Sequence, residues 1–258
     1  MAGNSHLQVT LPIIERSLAF FRPHHLELRR RLITSFLSIL ILSVVAYVFV
    51  EPIAAFLIAP LKHASPLVDK LVYTNLPEAF LSYIKLAFMI GLGASFPVIL
   101  YQLWRFAAPG LRREEKKLAI IVVFWATLLF AGGACFALFA VLPRMLIYFM
   151  SYATPALTPL PKLGLYLTFV IRTMITFGLS FQIPFLMVMA GKADLVKAGY
   201  FRKKRYYFYA VIVVLAFMLT AGDFMATALL AIPLFGLYEA GIFLTALFAR
   251  RKKADSPA

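Results

Sequence analysis

Acidic and amide side chains in this sequence occupy two settings where their chemistry matters: beside dense clusters of arginine and lysine, and inside long apolar runs. Glu27 belongs to the first kind, within His24-His25-Leu26-Glu27-Leu28-Arg29-Arg30-Arg31-Leu32. Glu115 is the second such acid, within Pro109-Gly110-Leu111-Arg112-Arg113-Glu114-Glu115-Lys116-Lys117. Carboxylates so placed can receive a cationic ligand through charge-assisted hydrogen bonds. Plainer roles compete: Glu27 can be an i,i+4 partner of Arg31, and Glu114 and Glu115 can complement the positive end of a helix. Gln182 and Glu239 belong to the apolar setting, where an ionisable group needs a partner or a proton. Arg172, ten residues before Gln182, is long enough to snorkel to an interface, and Lys85 stands near the outer end of its run.

Nothing else suggests catalysis. There is no HExxH, GxSxG or phosphate-binding glycine loop. His6, His24, His25 and His63 lack metal-ligand spacing, so neither a metal nor a cofactor is expected. Cys135 is the one cysteine and lies in an apolar run, which suggests a buried small hydrophobe.

The elements that carry these residues follow from composition. The chain is 62% hydrophobic and 14% charged, whereas a soluble domain is about 45–50% apolar and about 25% charged. A water-soluble fold of this size cannot bury that much apolar surface. Spans of about 20 apolar residues are expected at Ile33–Val50, Ala79–Leu100, Leu118–Met150 and Gly164–Ala190. Tyr206–Leu219 is shorter, about 21 Å of helix, and Phe224–Phe248 contains Pro233, so its regular helix is expected to be short as well. Pro97 and Pro184 interrupt two further spans. Short and kinked spans suggest a thinned or concave wall.

Charge orients the spans. Residues 1–32, 101–117, 191–205 and 249–258 carry net +3, +3, +5 and +3, while 51–78, 143–163 and 220–223 carry −1, +2 and −1. The lysine and arginine bias puts the first set in the cytoplasm, with both termini inside and an even span count. Positive charge dispersed over short loops suits anionic lipid headgroups, not a groove that tracks nucleic acid. Tyr200, Phe201, Tyr206, Tyr207, Phe208 and Tyr209 around Arg202–Arg205 read as an interfacial belt. Residues 1–31 carry no apolar core ahead of a small-residue cleavage site, so no early signal peptide is expected.

Several motifs recur together in one known family. They are His24-x-x-Glu27-Leu28-Arg29-x-Arg31-Leu32; Phe96-Pro97-Val98-Ile99-Leu100-Tyr101-Gln102-x-Trp104-x-Phe106-x-x-Pro109-Gly110-Leu111 with Glu115; Phe177-Gly178-x-x-Phe181-x-x-Pro184; Arg202-Lys203-x-Arg205-Tyr206; Asp223; and Ala231-Ile232-Pro233-Leu234-x-x-Leu237-Tyr238-Glu239. With these the chain resembles the TatC family, the multi-spanning receptor subunit of the twin-arginine protein translocase. The resemblance implies an all-α polytopic fold of six transmembrane helices in a concave, glove-like arrangement, with the last two short. It implies residues 1–23 as a cytoplasmic extension, 24–250 as the six-span domain and 251–258 as a basic cytoplasmic tail. A bacterial inner-membrane location follows, with transport of folded proteins driven by the proton-motive force.

Its partners would be single-span TatB-like and TatA-like subunits, precursors with twin-arginine signal peptides, other copies of itself and membrane lipids. Signal binding would fall to Glu27, Arg29, Phe106 and Glu115, an intramembrane translocation role to Gln182 and Glu239, and periplasmic-loop positions to Pro60 and Asp223. The family's glutamate in the fourth span is here Gln182, its double proline before Asp223 is here Ala221-Gly222, and the leader before His24 is an addition. Two other classes stay open: a secondary transporter built around Glu239, against which spans 1–3 and 4–6 share no repeat, and a purely structural scaffold. Copurification with a twin-arginine precursor discriminates the three.

Overall fold

The structure, a computed structural model, describes the backbone of residues 5–64, 71–107, 113–154, 159–192, 196, 199–220 and 223–254, and the side chains of 27–62, 71–106, 120–154, 159–191, 196, 199–218, 220 and 223–247. Among the described residues the fold is all helix: α1 (Ser5–Val48), α2 (Val50–Ala64), α3 (Leu76–Ala94), α4 (Phe96–Ala107), α5 (Arg113–Phe136), a π turn (Ala137–Val141), α6 (Leu142–Met150), α7 (Leu163–Ser180), α8 (Gln182–Lys192), α9 (Tyr200–Lys203), α10 (Arg205–Leu219) and α11 (Phe224–Ala254). Five stretches are long and apolar enough to cross a membrane: Glu27–Val48, Leu76–Ala94, Ile120–Met150, Leu163–Gly191 and Phe224–Leu247. Arg205–Met218 is a sixth, shorter apolar helix. The polytopic all-α class is therefore the observed one.

The prolines act unequally, for a local reason. Proline has no N–H to give the carbonyl four residues back. Pro97 cannot donate to the Gly93 carbonyl, and the helix breaks at Ser95, whose buried hydroxyl donates to the Leu92 carbonyl at 2.8 Å. Ahead of Pro143 the chain inserts the π turn, a common origin of helix kinks. Ahead of Pro184 the α7–α8 helix breaks at Phe181. Pro233, in contrast, lies inside the unbroken 31-residue α11. The expectation of a short final helix is thus wrong, because one lost bond is tolerated where neighbours pack the helix on both sides.

Packing in lipid depends on close approach, since no water is expelled between apolar helices. Glycines supply it at three crossings. A Cβ on Gly91 of α3 would lie 2.1 Å from Ser43 Oγ of α1, and one on Gly133 of α5 would lie 2.6 Å from the Phe177 carbonyl of α7. A Cβ on Gly241 of α11 would come within 3.0 Å of Pro184 Cα in α8. Around these crossings sit two buried clusters, one joining α2, α3, α6 and α7, the other joining α6, α8, α10 and α11. Tyr166, buried in the first, donates to the Leu57 carbonyl of α2 at 2.9 Å.

An isolated parallel bridge between Val72 and Lys162 starts α3 and α7 side by side. Outward faces such as Phe36, Ile41 and Val44 of α1 are left for lipid. Cys135, expected to be buried, is also exposed. From Ile120 onward α5 is apolar nearly all round, so hydropathy carried no sign of which face packs inward.

Candidate functional site

The first cluster forms at one end of the bundle. α1 packs along both α3 and α4, and the Ser43–Gly91 contact sets the register of the α1–α3 crossing. Glu27 lies sixteen residues before Ser43 and Ala107 sixteen after Gly91. At equal rise along antiparallel helices, Glu27 is level with Phe106 at the end of α4. Arg31 Nη2 pairs with the Glu27 carboxylate one turn away. The pair is asymmetric: the Arg31 side chain is 11% exposed and that of Glu27 is 40% exposed. Glu27 therefore holds a cation of its own chain while its side chain stays partly exposed, and Arg29 beside it is exposed. Arg31 Nε and Nη1 and the Trp104 indole N–H are buried donors with no hydrogen-bond partner among the described residues. Glu115 lies in the first turn of α5, and its side chain is outside the described residues.

The intramembrane candidates do not form one site. Gln182, 8% exposed, donates Nε2 to the Ala126 carbonyl of α5 at 2.9 Å, with a longer contact of 3.4 Å to the Gly178 carbonyl. Through this bond the amide ties α8 to α5. Glu239 accepts a hydrogen bond from Tyr209 Oη and lies 4.0 Å from Arg205 Nη2. Both partners sit in the first turns of α10, so Glu239 marks the level where that short helix begins. Its side chain is 42% exposed.

Asp223 accepts from the Ala226 N–H at 2.7 Å and so caps α11. Its carbonyl receives the Thr227 hydroxyl at 2.6 Å, and the Thr220 and Thr227 hydroxyls are 2.7 Å apart. Pro60, a periplasmic-loop position in the resemblance, lies inside α2, on the connection between the first two spans.

Comparison with known proteins decides the family. The family model for the Sec-independent protein translocase protein TatC matches residues 23–233. The chain belongs to the TatC family. Relatives named Sec-independent protein translocase protein TatC include those of Magnetococcus marinus (35% identical over 238 residues, 91% of this chain and 86% of the relative) and Desulforapulum autotrophicum (32% over 235 residues, 91% and 87%). That of Escherichia coli strain K12 is 32% identical over 225 residues, 87% of each chain. A crystal structure of the twin-arginine translocase receptor TatC is 34% identical, superposes with a TM-score of 0.79, and covers 88% of this chain and 100% of its own. The matched range includes Glu27, Phe106, Glu115, Gln182 and Asp223, and stops six residues short of Glu239.

Several residues of this TatC-family chain have partners that the sequence did not show. Tyr238 is 1% exposed and donates to the Phe201 carbonyl at 2.9 Å, fastening α9 to α11. Its ring stacks on Phe208 at 5.1 Å. The expected aromatic belt therefore divides: Tyr206 and Tyr207 are outward, 79% and 69% exposed, whereas Phe201, Phe208 and Tyr209 pack around Tyr238. Lys85 and Arg172, noted separately in the sequence, line one groove between α3 and α7.

Proposed function

We propose that this chain is the signal-peptide receptor of a Sec-independent, twin-arginine translocase in a bacterial inner membrane. The observation that carries the reading is the partly exposed Glu27 side chain, paired with Arg31 and level with the end of α4 in a TatC-family chain. A guanidinium pair wants fixed carboxylates, and arginine's planar fork matches them two bonds at a time. In this reading Glu27 and Glu115 share the two arginines of the signal. Arg31 is the resident counter-ion that keeps Glu27 folded and charged while the site is empty, and Arg29 and Phe106 flank the bound segment. Arg31 would then be exchanged for the signal's arginine, not lost, since its other nitrogens are already buried.

The short Arg205–Met218 helix completes six spans with both termini cytoplasmic, and its length supports a locally thinned, concave wall. TatA-like and TatB-like single-span subunits would supply the passage, and the proton-motive force the work. Glu239 is bonded to Tyr209 at the end of α10, which gives no support to a transporter with a midplane carboxylate.

The test is capture of a twin-arginine precursor by the purified receptor, against the same precursor with two lysines. Glu27→Ala and Glu115→Ala should each weaken capture by about 10- to 150-fold, the equivalent of about 1.5–3 kcal/mol for a bond to a charged group. Undiminished capture by the double variant would refute the assignment. Labelling of single cysteines at positions 68 and 159 from the periplasmic side alone is the matching topology result, and cytoplasmic labelling at 159 would end the six-span reading.

A further inference from the structure

α3 and α7 start together at the Val72–Lys162 bridge and run in the same direction, leaving a groove of about 640 Å³ between them. That is within the range of about 300–1,000 Å³ for small-ligand sites. Glu78, Ser82 and Lys85 line it from α3, and Gly164, Thr168 and Arg172 from α7. Lys85 is nine residues from the start of α3 and Arg172 nine from the start of α7. Both cations therefore stand at one depth, about 13–14 Å along their helices.

Neither cation has an ion-pair partner among the described residues, and both are exposed. Ser82, Thr168 and Glu78, which also line the groove, are already engaged. Ser82 donates to the Glu78 carbonyl at 2.6 Å and Thr168 to the Gly164 carbonyl at 2.7 Å. The Glu78 carboxylate, near the mouth, accepts from Thr74 N–H at 2.7 Å and Thr74 Oγ1 at 3.1 Å. The inner end of the groove is thus doubly positive, inside a stretch that hydrocarbon surrounds, where a lone charge is expensive. Side chains on a helix lean toward its N-terminus, so both stems tilt back toward the mouth, as snorkelling requires.

The walls are apolar and face sideways: Leu81 is 57% exposed and Leu165 is 70% exposed. The floor is closed where Gly164 meets Ser82, a Cβ there falling 2.5 Å from Ser82 Oγ. This leaves a cleft whose apolar walls suit an acyl chain.

We propose that this groove seats one anionic phospholipid of the leaflet next to the N-terminal ends of α3 and α7. The phosphodiester lies between Lys85 and Arg172, and an acyl chain follows Leu81 and Leu165. A phosphodiester presents the oxygens that an ammonium and a guanidinium can share, and the apolar wall supplies what a soluble phosphate could not use.

The experiment is native mass spectrometry of the detergent-purified chain, titrated with phosphatidylglycerol and with phosphatidylcholine of identical acyl chains. No precursor is present, so the outcome is independent of signal recognition. Phosphatidylglycerol should bind the parent at least about 10-fold more tightly, the worth of one charge-assisted contact. Lys85→Gln with Arg172→Gln should reduce it to the phosphatidylcholine level, and Lys85→Arg with Arg172→Lys should keep the preference. Equal binding of the two lipids by the parent overturns the proposal, as does undiminished preference in the double glutamine variant. Loss of preference in the charge-keeping pair overturns it too, whether or not the glutamine pair folds. Displacement of the lipid by equimolar glycerol phosphate would make the site one for a soluble anion. Displacement by a synthetic membrane helix bearing one glutamate would make a protein carboxylate the occupant. Either result sinks the lipid assignment.

Discussion

Replacing Gln182 by leucine separates a role in packing from a role in passage. The amide is 8% exposed, and its one well-formed bond is Nε2 to the Ala126 carbonyl at 2.9 Å. The 3.4 Å contact to Gly178 is too long to add much. Leucine is close to glutamine in volume, so no cavity opens. Ala126 lies inside α5, where its carbonyl keeps an intrahelical partner, so no buried acceptor is orphaned. What remains is the loss of one interhelical bond, about 0.6–1.7 kcal/mol in a bilayer. That is about 3- to 18-fold in the folding equilibrium. The assay is the folded fraction during detergent denaturation, read by size-exclusion elution, alongside precursor transport by membranes adjusted to equal folded receptor. The expected result is a shifted denaturation midpoint with transport per folded molecule unchanged. Gln182→Glu should hold the same carbonyl only in its neutral form, through its single acidic proton. If leucine leaves the midpoint untouched and abolishes transport, the amide faces the substrate and the packing account is wrong.

Other substitutions test the remaining contacts. Asp223→Ala removes the side-chain cap of α11 and should cost about 0.5–2 kcal/mol of stability, with Asp223→Asn retaining most of it in the same denaturation assay. Gly133→Val drives a Cβ against backbone of α7, 2.6 Å from the Phe177 carbonyl and 2.9 Å from Gly178 Cα. Neither atom belongs to a side chain that can turn aside, so the variant should fail to elute as a folded species. Tyr209→Phe removes the hydroxyl donor to Glu239. Because the Glu239 side chain is 42% exposed and keeps Arg205 nearby, the cost should be about 1 kcal/mol or less, and a larger loss would mean that Glu239 is shielded by a partner.

Composition and hydropathy were enough to determine that this chain crosses a membrane as helices, and nearly where. Among the described residues the six apolar runs correspond to five helices long enough to span and one shorter apolar helix, because hydropathy is a local sum that any window of sequence contains. The motifs around Glu27, Phe106 and Glu115 were equally legible, since charge at the end of an apolar run stands out without any partner.

Partners at depth were decided only by the tertiary structure. Gln182 bonds a carbonyl 56 residues earlier, and Glu239 a tyrosine 30 residues earlier. Lys85 and Arg172 share a groove although α4, α5, the π turn and α6 lie between them in the sequence. In water an apolar stripe announces which face of a helix turns inward, but in lipid both faces are apolar and the stripe is lost. Rotation and register then follow from where backbones can touch, at Gly91 on Ser43 and at Gly133 on Phe177. Those contacts join residues far apart in the chain, so no local window of sequence contains them.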